Sequence, residues 1–213
     1  MGVESFVLVH GGFYGAWCWE RLVPLLDGRA LAVDLPGRGQ HPSPMEDVTL
    51  EACVRSVIAD MDEAGLERVV LVSCLLAPEA GSIADGFPPE FREQARRRMG
   101  EAPGALVEMD ETTHREVIGD ELDESDLRWL LAHVGPDSRH LFTDAASRSG
   151  LPDALPRTYV RLRRDRTVPW EVQEHVIGLL SGLRTREIDA GHNVMLTHPK
   201  TLATLLNEIA AGQ

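Results

Sequence analysis

The run "RVVLVSCLL" (68–76) is apolar on both faces that a strand presents. A strand tolerates this only when both sides are covered, as in the middle of a parallel sheet with helices above and below. The rest of the chain keeps the same rhythm. "SFVLVH" (5–10), "ALAVDLP" (30–36), "RTYVRLR" (157–163) and "LRTREIDA" (183–190) also read as strands, alternating with helical patterns. A helix is expected around Trp17–Leu26. A clearer one follows Thr49, where Leu50, Cys53, Val54, Val57, Ile58 and Met61 recur at the spacing of one buried face. Thr49 is suited to cap it and Gly65 to end it. "HPKTLATLLNEIAA" (198–211) reads as an amphipathic closing helix. The expected fold class is α/β, a three-layer parallel sheet of about five strands.

The alternation breaks between Phe87 and Asp153. That stretch is charged and helical, with "PPEFREQARRRM" and "ESDLRWLLAHV" as its best helices and no strand expected. It reads as a helical cap, 87–153, inserted in a core made of 1–86 and 154–213. A length of 213 residues suits one such domain.

The formal net charge of -13 argues against nucleic acid and against anionic membrane surfaces as partners. The local runs "RRRM" (96–99) and "RLRRDR" (161–166) read as solvated faces. No apolar run is long enough to span a membrane. "MGVESF" carries no charged-then-apolar leader, and three cysteines in no metal-like spacing suit a reducing compartment, so a cytoplasmic protein is expected. Neither a metal nor a cofactor is expected, because the eight histidines form no ligand motif.

Ligands of an open parallel sheet bind beyond the carboxyl ends of its strands. After the first strand comes "HGGFYGAW" (10–17), where Gly11 and Gly12 permit a tight turn that aims amides into a cleft. A plain glycine turn is the alternative. Asp165 in "RRDRTVPW" and His192 in "DAGHNVMLTHP" each follow a strand, and those strands are expected to be neighbours. A carboxylate there can hold an imidazole by its Nδ1–H and make the other nitrogen a base.

"FVLVHGGFYGAWCWERLVPLL", "AVDLPGRGQHPS", "YVRLRRDRTVP" and "IDAGHNVMLTHP", in this order, resemble the α/β-hydrolases, in the compact branch of plant methylesterases, hydroxynitrile lyases and related bacterial esterases. The resemblance covers nearly the whole chain. It implies that Asp165 and His192 are the acid and base of a triad, and that Gly12 and Phe13 lie at the first oxyanion amide.

The family's G-x-S-x-G elbow is absent. Read without a gap, "VVLVSCLLAP" puts Leu75 in the serine's place, between Ser73 and Ala77. A deletion accounts for this better. "ERVVLV" resembles the start of the elbow strand, and the stretch from Ser73 to Phe91 resembles the exit of the next strand into the cap. The seam falls at about Val72–Ser73, and an elbow, a helix and most of a strand, roughly 25–30 residues, are missing. Five strands in the order 2-1-3-4-5 would remain, with an uncovered apolar face that a homodimer is expected to bury.

Three functions stay open. An Asp165–His192 pair can move protons on a small carbonyl substrate without a covalent intermediate, with Trp17, Trp129 and Trp170 as candidate pocket walls or as core. Ser73 or Cys74 can act as a displaced nucleophile for ester or thioester hydrolysis, with Ser82 a weaker candidate. Or the fold binds a ligand or partner and does no chemistry.

Overall fold

The computed structural model describes residues 5–66, 75–98, 106–107, 110–118, 121–150 and 156–212. β1 (Ser5–Val9) leads into two 3-10 turns, Ala16–Trp19 and Val23–Leu25, where the sequence suggests one helix. Pro24 explains the break, because it has no amide to donate and its ring obstructs the preceding turn. β2 (Arg29–Val33) pairs with β1 in parallel, from Ser5 opposite Arg29 to Val9 opposite Val33.

α1 (Leu50–Ala64) starts where the Thr49 side chain accepts the Ala52 amide, and ends at Gly65 in the left-handed conformation. It meets β1 and β2 through Cys53, Val57 and Met61. Val54 and Ile58, expected on the same buried face, are 50% and 51% exposed. The apolar stripe is wider than the surface that the described strands offer it.

Between Phe87 and Asp153 lie α2 (Pro89–Arg98), β3 (Leu106–Val107), α3 (Glu111–Thr113, continued by a π turn His114–Ile118), α4 (Glu124–His133), β4 (Asp137–Ser138) and α5 (His140–Thr143). The stretch is mostly helical, but it contains a short antiparallel ladder, β3 with β4, where no strand was expected. Side-chain bonds from Asp137, described below, hold this part of the chain extended. β5 (Arg157–Leu162), α6 (Trp170–Gly178), β6 (Leu183–Ile188), α7 (Val194–Thr197) and α8 (Pro199–Ala211) complete the chain. β5 and β6 pair in parallel, from Arg157 opposite Leu183 to Leu162 opposite Ile188.

The layering follows from strand alternation. Phe6 and Leu8 of β1 join a core with Leu127 and Leu130 of α4 and Leu202 and Leu206 of α8. Val7, on the opposite face, packs with Val33, Leu66 and α1. The fold class is α/β, as expected, although the described sheets have two strands each. Most of the expected middle strand, 68–74, lies outside the described residues, and Ser73 and Cys74 with it. Leu75 and Leu76 pack beside Tyr159, Val168 and Val172, next to β5.

Candidate active site

Two parallel strand ends carry the residues expected to be the acid and the base. Asp165 follows β5 and His192 follows β6, and the structure brings His192 Nδ1 to 2.9 Å from Asp165 Oδ2. The Asp165 side chain is 3% exposed and that of His192 17%. The other carboxylate oxygen of Asp165 accepts the Val168 amide at 2.8 Å, which fixes its rotamer. The two loops are also stitched by backbone, with the Arg164 amide donating to Ala190 O at 3.1 Å. Glu121 accepts the Gly191 amide and pairs with Arg164 at 3.0 Å, so a carboxylate from the 87–153 stretch braces the turn beside His192. An open depression of about 630 Å³ lies outside Asp165, lined by Glu121, Arg163, Arg164, Arg166 and His198.

The loop after β1 is held differently. His10 is buried, and the Leu35 amide donates to its Nε2 at 3.1 Å, so its proton sits on Nδ1, which reaches Gly11 O at 2.8 Å. Burial lowers its pKa and keeps it neutral. Phe13 adopts φ +69°, a left-handed conformation unusual for a bulky residue. Two bonds hold it there: its amide donates to Asp137 Oδ2 at 2.8 Å, and its carbonyl accepts the Gly135 amide at 3.1 Å. A Cβ on Gly12 would stand 2.8 Å from that same Oδ2, so this position needs glycine. The amide expected to face an oxyanion therefore faces a carboxylate of the protein. The physical reason is charge: Asp137 is fully buried and needs donors, and Arg38 provides a second one at 2.7 Å.

The Tyr14 hydroxyl donates to Asn193 Oδ1 at 2.7 Å, joining this loop to the residue after His192. Trp17 stacks on Tyr14 at 5.3 Å and meets Trp129 of α4 edge-on at 5.2 Å. Arg21, paired through two bonds with Asp126, lies 5.8 Å from the Trp129 ring. These two tryptophans seat α4 on the sheet. Trp170 stands apart, with the Arg161 guanidinium 3.3 Å from its ring centre. Ser82 is committed to a turn, since its hydroxyl donates to Asp85 Oδ2 at 2.6 Å and caps the Asp85 amide. Cys18 and Cys53 are buried thiols, and burial pushes Cys53 up to about 11, so neither is a thiolate at neutral pH. Among the described residues no group of His, Cys, Asp and Glu is arranged to hold a metal, and no helix is long and apolar enough to cross a membrane.

Asp137, Arg38, Tyr14 and Glu121 were not singled out from the sequence. Arg38 had one local signal, a cation inside the glycine turn "DLPGRG". Asp137, far along the chain, had none.

The chain resembles known proteins in sequence and in fold. The family model of the alpha/beta hydrolase family matches residues 6–205. Methylesterase 9 of Arabidopsis thaliana is 37% identical over 95 residues, which are 42% of this chain and 37% of that protein, so this match spans little more than a third of the relative. The alpha-hydroxynitrile lyase of the same plant is 25% identical over 254 residues, covering 97% of both chains. Among solved structures, an extracellular alpha/beta-hydrolase from a Paenibacillus species superposes with a TM-score of 0.82 at 17% identity, covering 96% of this chain and 98% of that one. The chain belongs to the alpha/beta hydrolase family.

Proposed function

We propose that this protein is an enzyme of the esterase/lyase type, acting on a small carbonyl metabolite by non-covalent acid–base chemistry. The methylesterase and hydroxynitrile lyase relatives support the broad class. The observation that carries the finer reading is the 2.9 Å contact between His192 Nδ1 and the buried Asp165. Asp165 keeps the proton on Nδ1, so Nε2 is the base. On a carbon bearing both a hydroxyl and a leaving group, Nε2 takes the hydroxyl proton and the carbonyl forms as the bond to the leaving group breaks. The imidazolium then returns the proton to the departing anion.

The absent elbow favours this over ester hydrolysis. A matched span of 254 residues exceeds the 213 of this chain, which supports an internal deletion, assigned in this reading to the seam near Val72–Ser73. Residues 87–153 act as the cap that closes over substrate. The protein works as a cytoplasmic homodimer, with the half-exposed Val54 and Ile58 of α1 as part of the interface. One observation favours a second reading, a ligand-binding protein without catalysis: the Phe13 amide is taken by Asp137.

The test is turnover of a p-nitrophenyl ester series and of a panel of cyanohydrins and β-hydroxy ketones by wild type, S73A, C74A and H192A. Conversion of a hydroxylated substrate that depends on His192 but on neither Ser73 nor Cys74 is expected. Ester turnover abolished by S73A or C74A would replace this reading with a displaced nucleophile. Inertness throughout would leave the binding protein.

A further inference from the structure

Asp137 is a ligand that the chain supplies to itself. Its carboxylate is 0% exposed and takes three donors: the Phe13 amide at 2.8 Å, Arg38 at 2.7 Å and its neighbour's amide, Ser138, at 2.8 Å. The first two belong to the loops after β1 and β2, whereas the acid comes from β4, in the 87–153 stretch. Both donors have support of their own. Arg38 is anchored through its Nε to Tyr14 O at 2.9 Å and through a second nitrogen to Gly37 O at 3.4 Å. Phe13 is already turned to φ +69°, which aims its amide away from the strand direction. Gly12 clears the space in front of that amide to the width of a carboxylate oxygen.

The backbone that carries Asp137 is a short element. β4 is two residues long and pairs with the two residues of β3. Among the described residues, a further backbone bond to this turn runs from Gly135 to Phe13 O. When this segment lifts, Asp137 gains water, and Arg38 is left in a pocket that favours a replacement anion. An incoming carboxylate restores the same charge pair, so the exchange leaves no buried charge uncompensated. A neutral ligand does not offer that balance.

We propose that the Phe13 amide and the Arg38 guanidinium form a carboxylate-binding seat, filled by Asp137 in the closed state and passed to the carboxylate of a small ligand when the 135–138 segment lifts. The seat does not depend on the acid–base reading above, since occupancy is measured without turnover. An internal occupant lowers the apparent affinity for an external one by the fraction of time the seat is vacant. Minor states of this kind are populated at about 0.1–10%, so removing the occupant tightens binding by at least about tenfold.

The experiment titrates sodium acetate into wild type, D137A and the double variant D137A/R38M, with sodium chloride at equal ionic strength as the reference. It is read by calorimetry and by the shift in melting temperature. D137A is expected to bind acetate at least about tenfold more tightly than wild type, and the double variant to lose that gain. An acetate response in D137A no larger than in wild type overturns the proposal, as does a gain that survives in D137A/R38M. Should D137A fail to fold in chloride, recovery of fold in acetate is the supporting result, and failure in both salts is the refuting one.

Discussion

Two buried aspartates each meet a loop that follows a parallel strand, and they are used in opposite ways. Asp165 commits one oxygen to the Val168 amide and offers the other to His192. Asp137 commits both oxygens to fixed donors, an arginine and two amides. In the acid–base function proposed for this protein, the first arrangement leaves a proton that can move, because an imidazole lies at the end of it. The second compensates a charge completely and ties the loops after β1 and β2 to β4. On the proposed readings the same side chain is machinery in one place and a stopper in the other, and the difference lies in what meets the second oxygen.

The sharpest way to break this contrast is to remove one partner from each pair. His192→Ala is expected to lower conversion of a hydroxylated carbonyl substrate by about 10²–10⁴-fold, the usual range for a general base, while the urea midpoint stays close to wild type. Arg38→Met is expected to do the reverse. It strands the buried Asp137 charge and costs roughly 3–5 kcal/mol of stability, read from urea unfolding, and the D137A/R38M pair should recover most of it. A folded R38M protein with wild-type stability, or a strongly destabilised H192A, would show that the two aspartates have been assigned the wrong way round.

The contrast also explains what could be read from the sequence. Asp165 and His192 follow strands that are consecutive apart from one helix, so adjacency of the strands implies adjacency of the loops. Periodicity was enough to find both the strands and the residues after them. The Thr49 cap and the Gly65 stop of α1 were legible for a similar reason, since each acts within one turn of its own position. Asp137 and Phe13 are separated by 124 residues, and no spacing rule connects them. Their contact depends on how the 87–153 stretch folds back, which its helical periodicity does not encode. The turn Ala16–Leu25 failed as a helix for a local reason, Pro24, that the apolar pattern had masked.

A smaller effect sharpens the comparison from the side. Tyr14 links the two halves, because its backbone follows Phe13 and its hydroxyl holds Asn193, next to His192. Tyr14→Phe removes one buried hydrogen bond and is expected to cost about 1 kcal/mol of stability. Turnover should fall as well, through the position of His192, with the pH profile shifted rather than abolished. A variant that loses stability but keeps the wild-type pH profile would confine Tyr14 to packing.

The least expensive change to the fold concerns α1, away from both aspartates. If Val54 and Ile58 face only solvent, replacing both with lysine should alter monomer stability within about 0.5 kcal/mol. If they meet a second copy, each half-exposed side chain contributes roughly 1 kcal/mol of burial to association, and two charges in that contact oppose it strongly. Light scattering at micromolar concentration separates these cases. A wild-type dimer and a monomeric V54K/I58K double variant of unchanged melting behaviour is the expected pair. A wild-type monomer would mean that the wide apolar stripe of α1 is covered from within the chain or left open to water, and the Asp165–His192 pair would then have to work without support from a neighbour.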